Sequence, residues 1–171
     1  MKHSFAVIAL ICATLLSACG FQLRGEAILP YSSLYIDLPE ANTLRAKLAR
    51  SIRAGSKTTL GNSAKESQAV LGITGDILAK NILSLNSAGR VREYQLVRTF
   101  GYRVYDPGGH DLIPPGQIVV RRDITFDDSQ VLSKQAEEVL LIRDMEDDVV
   151  QQLLRRLAAS KPDFAAAKKE G

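Results

Sequence analysis

The chain has no tryptophan, and Phe and Tyr together supply only 6% of its residues. Whatever core it builds must therefore be aliphatic. Two cysteines are too few for a disulfide scaffold, and 171 residues are enough to bury a core without one. Two histidines, His3 and His110, are too few for a histidine-based metal site. Triads of the Ser-His-Asp or Cys-His kind would both rest on His110 alone. That residue lies in Gly108-Gly109-His110-Asp111, a sequence that reads as a solvated turn. Neither metal-ligand spacing nor a glycine-rich phosphate loop is present. The carboxylate pairs Asp127/Asp128 and Asp147/Asp148 could in principle act on glycans. They fit a loop cap and a helix surface better. These absences argue against an enzyme. Hydrophobic residues at 46% and charged residues at 24% are ordinary globular usage, which excludes a wholly disordered or multi-span chain.

One apolar run stands apart. Between Ser4 and Ala18 there are 15 residues without a charge, preceded by Lys2. That is short of the ~20 residues a spanning helix needs and fits the core of a secretory signal. Its end, Leu16-Ser17-Ala18-Cys19-Gly20, resembles the lipobox of bacterial lipoproteins. Small residues at Ser17 and Ala18 let a signal peptidase reach the scissile bond. The Cys19 thiol takes a diacylglycerol by thioether linkage, and the freed amine takes a third acyl chain, such as palmitate. Each buried methylene stabilises membrane binding by ~0.8 kcal/mol, so three chains anchor effectively permanently. Gly20 and Phe21 follow where an aspartate would retain a lipoprotein at the inner membrane. The resemblance thus implies the outer membrane, with the protein facing the periplasm. Loss of residues 1–18 removes Cys12 and leaves no free thiol.

The remainder divides into a lipidated tether at 19–30, one domain at 31–159 and a tail at 160–171 expected to be disordered. Leu34, Ile36 and Leu38 alternate with Tyr35 and Asp37, a strand pattern. Leu44, Leu48 and Ile52 recur every four residues on a helix that Asn42 or Thr43 can cap and Gly55 can end. Its outer face carries Arg45, Lys47, Arg50 and Arg53. Lys57–Gln68 is loop-like, with room for a short strand near Thr58–Leu60. Val70–Leu85 and Val91–Tyr105 are long strands joined by the polar turn Asn86-Ser87-Ala88-Gly89, a hairpin. On the second, Tyr94, Leu96, Phe100, Tyr102 and Val104 share one face. A loop runs from Asp106 to Gly116, and Ile118, Val120, Ile124 and Phe126 mark a further strand. Leu132–Leu157 is helical, with an apolar stripe from Val139 to Leu157. The expected fold is α+β: a two-layer sandwich with a mixed four-stranded sheet packed against two helices, the C-terminal one long.

Charge is segregated along the chain. Residues 40–122 carry 13 Lys and Arg against six Asp and Glu, and residues 123–148 carry two against nine. Either the last helix pairs with basic strands, or a basic surface serves phosphorylated ligands. Arg98 and Arg122 both interrupt apolar faces. A buried guanidinium needs an anion or an exit to water. Partners such as Glu93, Glu138 or Glu146 would supply the first, and so would a ligand.

Cys19-Gly20-Phe21-Gln22-Leu23-Arg24-Gly25 resembles the start of the lipopolysaccharide-assembly lipoproteins of the LptE (RlpB) family. Glu93-Tyr94-Gln95 opening the central strand, the strand near Arg122, Leu132-Ser133-Lys134, and the helix end Leu153-Leu154-Arg155-Arg156-Leu157 follow the same order. The resemblance covers nearly all of residues 19–157. It implies a non-enzymatic protein that plugs the lumen of a large outer-membrane β-barrel, LptD, helps assemble it, and binds lipopolysaccharide during delivery to the outer leaflet. Neither a cofactor nor nucleic acid is implied. In the family's basic turn the arginine position falls near Asn86–Ser87, where this chain has none and instead carries Arg90 and Arg92 slightly downstream; the lysine opening the family's last helix corresponds to Lys134. These three become the candidate lipopolysaccharide ligands, and Cys19 the lipidation site. The competing reading is a lipid-binding auxiliary lipoprotein of another envelope transport or stress system.

Overall fold

The computed structural model describes residues 28–164, so Cys19 and the proposed signal lie outside the described residues. The elements run β1 (Ser33–Asp37), α1 (Thr43–Gly55), β2 (Thr59–Leu60), β3 (Ala69–Leu85), β4 (Val91–Tyr105), β5 (Asp111–Thr125), a short 3-10 turn (Asp128–Gln130) and α2 (Val131–Ala159). They form one sheet of order β2-β1-β3-β4-β5 with both helices on one side, the α+β sandwich expected from the sequence.

The sheet has five strands rather than four. The extra one, β2, pairs with β1 through only Thr59 and Leu60, too short a segment to show alternation in sequence. β1 and β3 are parallel, so the chain between them must cross over, and α1 lies in that crossover. Asn42 caps α1: its Oδ1 accepts from the N–H groups of Leu44 at 2.9 Å and Arg45 at 3.3 Å. Leu44, Leu48 and Ile52 are buried, as their four-residue spacing requires.

The hairpins follow from turn chemistry. Asn86 Oδ1 accepts from Ala88 and Arg90 N–H, both at 3.0 Å, and Gly89 has φ +73°. A Cβ is strained at that angle, so glycine is the suitable residue there. β4 alternates along its length: Leu96, Arg98, Phe100, Tyr102 and Val104 are buried while their neighbours are partly exposed.

The expected loop at Asp106–Gly116 is shorter than the sequence implied. Only residues 106–110 turn, and β5 already begins at Asp111, running through Pro114-Pro115. β5 is an edge strand, where a missing proline N–H need not break the ladder. Between Val104↔Ile113 and Tyr102↔Gly116, three residues of β5 pass for two of β4, a bulge that absorbs the prolines.

The core is mainly aliphatic, with Phe100, Tyr31 and Tyr102 its buried aromatics among the described residues. Leu34, Leu48, Leu71, Leu96, Ile118, Met145, Leu153 and Leu157 are all fully enclosed. The chain stays docked past the end of α2. Asp163 N–H donates to Leu112 O at 3.0 Å, and Phe164 meets the Tyr31 ring edge-on at 6.2 Å. No helix of the described residues is long and apolar enough to cross a membrane.

Candidate functional surfaces

The turn of the β3–β4 hairpin and the start of α2 come together at one end of the sheet. Phe126 N–H donates to Arg92 O at 2.8 Å, which ties the segment before α2 to the base of the turn. Arg90 and Arg92 line one shallow pocket with Asn86, Phe126 and Asp127. Arg90 lies 3.5 Å from Asp128 and is well exposed. Lys134 donates to Thr125 Oγ1 at 2.9 Å and to Glu137 at 2.8 Å. Backbone and side-chain hydrogen bonds from Ser129 hold the Asp127 carboxyl below its usual range, and Lys134 and Arg90 add to this. The structure therefore brings Arg90, Arg92 and Lys134 to one end, where two of the three already face carboxylates. The Arg90–Asp128 pair is exposed and contributes ~0–1 kcal/mol, so a phosphate can displace Asp128 at little cost, whereas Lys134 is only 18% exposed and is held by Thr125 as well as Glu137.

Arg98 and Arg122 are engaged internally. Arg98 donates to both Asp76 oxygens, at 2.8 and 2.6 Å, and lies 3.6 Å from Glu146. The Asp76 hydrogen bonds raise its pKa further. Arg122 holds Asp144 and Asp148 at 2.8 Å each. Of the acidic partners the sequence offered, Glu93, Glu138 and Glu146, only Glu146 is used, and that by Arg98. Lys80 bridges to Glu138 at 2.6 Å, and Lys47 spans the helices to Asp147 at 2.6 Å and Glu146 at 3.2 Å. The acidic stretch of α2 thus answers the basic strands and α1, which accounts for much of the charge segregation without a ligand. Arg50 and Arg53 on α1 stay exposed.

Lys80 is a residue that sequence reasoning passed over. Its ammonium sits 4.4 Å from the Tyr94 ring centre. The only signal was a lone cation inside the Ile- and Leu-rich β3. His110 is a turn residue: its N–H donates to Asp106 Oδ1 at 2.9 Å and its ring lies 3.2 Å from Oδ2. Burial opposes ionisation of Asp106, but the His110 hydrogen bonds prevail and hold its pKa low.

Among the described residues no helix covers the sheet's other face. Register places Glu93, Gln95, Val97, Thr99 and Gly101 of β4 there, beside Thr125, Asp123, Arg121, Val119 and Gln117 of β5. Two valines interrupt an otherwise polar surface on these two 15-residue strands, and β3 adds Ala79 and the 65% exposed Ile77 to the same face.

Residues 31–157 match the family profile described as LptE, lipopolysaccharide-assembly. The chain is 32% identical over 162 residues to the LPS-assembly lipoprotein LptE of Yersinia pestis (strain Pestoides F), covering 92% of this chain and 77% of that one. Among solved structures it resembles lipoprotein B from Nitrosomonas europaea, with TM-score 0.71 and 38% identity, covering 82% of this chain and 91% of that one. It also resembles the rare lipoprotein B from Shewanella oneidensis, with TM-score 0.64 and 26% identity over 74% of this chain and 94% of that one.

Proposed function

Because the chain belongs to the LptE lipopolysaccharide-assembly family, a family of non-enzymatic assembly lipoproteins, we propose that it plugs the lumen of the LptD β-barrel and binds lipopolysaccharide there. One observation carries the plug: the buried core lies between sheet and helices, and the β4–β5 part of the uncovered sheet face is largely polar. The interior of an outer-membrane barrel is likewise polar, so those two strands can meet it. The Arg45/Arg50/Arg53 side of α1 and the 106–110 turn are further proposed contacts. Cys19 carries the acyl chains that hold the protein at the periplasmic side of the outer membrane.

Extraction of the native lipoprotein in mild detergent is expected to yield a large β-barrel in one-to-one ratio. Purification without such a partner would favour an auxiliary lipoprotein of another envelope system.

Lipopolysaccharide binding is placed at Arg90, Arg92 and Lys134, whose charges can hydrogen-bond lipid A phosphates. Replacing all three by Ala should weaken lipopolysaccharide binding roughly tenfold, about 1.4 kcal/mol. The loss is modest because salt screens exposed charges and because Arg90 and Lys134 must first leave their carboxylates. Titration at two salt concentrations checks this, with unfolding midpoints expected to stay close to wild type. Unchanged affinity would move the ligand contact away from this end.

A further inference from the structure

The helix layer is incomplete. α2 has 29 residues and α1 only 13. Leu132, Val139 and Glu146 are spaced by seven, nearly two turns, and so share one flank of α2. Glu146 reaches Lys47 of α1 at 3.2 Å, so this is the flank that α1 covers farther along. At Leu132 and Val139 no described element covers it, and they are 83% and 49% exposed.

The sheet opposite is equally bare. Leu78 pairs with Arg98, and Ile82 with Tyr94. Arg98 points to Glu146, so Leu78 and Ile82 lie on the helix side of the sheet. They are 43% and 60% exposed. β1 pairs with β3 no farther than Gly72, which among the described residues leaves the edge of β3 beyond it unpaired. Four large apolar side chains therefore border a trough that lacks its outer wall. The Lys80–Glu138 pair crosses it. That pair also lines a pocket of about 250 Å³ with Tyr94, Ile124, Phe126, Val131, Lys134 and Gln135.

Scattered exposed apolar residues need no explanation, but a contiguous rimmed set marks a binding surface. A polar barrel lumen does not match it. We infer that the trough between the distal half of β3 and the first half of α2 holds fatty acyl chains of the lipopolysaccharide molecule. This rests on the lipopolysaccharide binding proposed above. The occupant is chosen by charge. Lys80 and Lys134 flank the pocket, and Arg90 joins Lys134 around Asp127 at the adjoining end; each of the three is paired with a carboxylate, Glu138, Glu137 and Asp128, that a phosphate would displace. An anionic headgroup with a hydrocarbon tail meets both halves of this surface at once. A partner helix or strand has no need of the cations. Each methylene taken from water strengthens binding about fourfold, so even partial seating of one chain outweighs the exposed charges.

The test compares intact lipopolysaccharide with the same molecule stripped of its acyl chains. The protein is the chain from residue 20 onward, which keeps every residue of the described core. Wild type is expected to bind the deacylated form at least tenfold more weakly. The variant L78T/I82T/L132Q/V139Q should lose about tenfold for intact lipopolysaccharide and little for the deacylated form. Equal binding of both forms by wild type, or wild-type affinity in the variant, overturns the trough while leaving the charged site standing. Binding of neither form overturns both. A fold-independent check uses the full lipoprotein in cells with a photoreactive residue at position 82. Crosslinks to lipopolysaccharide support the trough. Crosslinks only to a barrel or to a second copy overturn it.

Discussion

Arg98→Ala is expected to lower stability by about 3 kcal/mol, the low end for breaking a buried ion pair. The guanidinium is only 10% exposed and touches two carboxylates, Asp76 at 31% and Glu146 at 15%. Its removal leaves both near a low-dielectric interface without their shared counter-ion. Glu146 keeps Lys47 at 3.2 Å as its remaining counter-ion, so most of the loss falls on the pairing of Arg98 with Asp76. Arg122→Ala supplies the contrast. Its partner Asp144 is 61% exposed, so solvent takes over and the loss should stay within ~1 kcal/mol. Urea midpoints of the two variants measure the difference. Combining Arg98→Met with Asp76→Asn and Glu146→Gln should recover most of the loss, since no charge is then left unpaired. If Arg98→Ala costs no more than Arg122→Ala, the network is dispensable to the fold.

Cys19→Ala is expected to abolish maturation altogether. Without the thiol there is no site for the diacylglycerol, and the signal peptidase of this pathway acts on the acylated form. The cell should accumulate precursor that still carries residues 1–18, with no acyl mass at its N-terminus. Mass spectrometry of the intact protein distinguishes this from a mature, triacylated chain beginning at Cys19. Cleavage of the variant at its usual position, or wild-type protein with an unmodified Cys19, would remove the lipoprotein assignment for this chain. The domain itself should fold as before, because every described core residue lies beyond position 28.

Local chemistry was legible in the sequence, and pairings across the sheet were not. The alternation of β4, the Asn86–Gly89 turn and the four-residue stripe of α1 each follow from a handful of neighbouring residues. The partners of Arg98 and Arg122 depend on register. Asp76 stands two residues from Leu78, the partner of Arg98 across the hairpin, and no local pattern reports that. Pro114-Pro115 looked like a loop because proline normally ends a strand. Only the edge position and the bulge make it tolerable there. β3 shows a different limit. Its Ile- and Leu-rich run reads as a long strand, but only its first four residues are buried. Sequence shows that a segment is apolar but not what lies over it. Arg90, Arg92 and Lys134 were found through family resemblance. Their clustering became visible once the turn before α2 was seen folded onto the hairpin.

The two long borders of the sheet also differ in how they can meet other chains. β5 is blunted by Pro114 and Pro115, by charges at Arg121, Arg122 and Asp123, and by Arg156, which donates to Gln117 O at 2.6 Å. Such features discourage edge pairing. β3 beyond Gly72 has open backbone and apolar side chains, tempered by Asp76 and Lys80. Growth of a fibre by strand addition needs two receptive borders per molecule, and this one offers a single long border. Strand addition at β3 is the edge pairing these borders leave least hindered, and among the described residues no second long border would extend it.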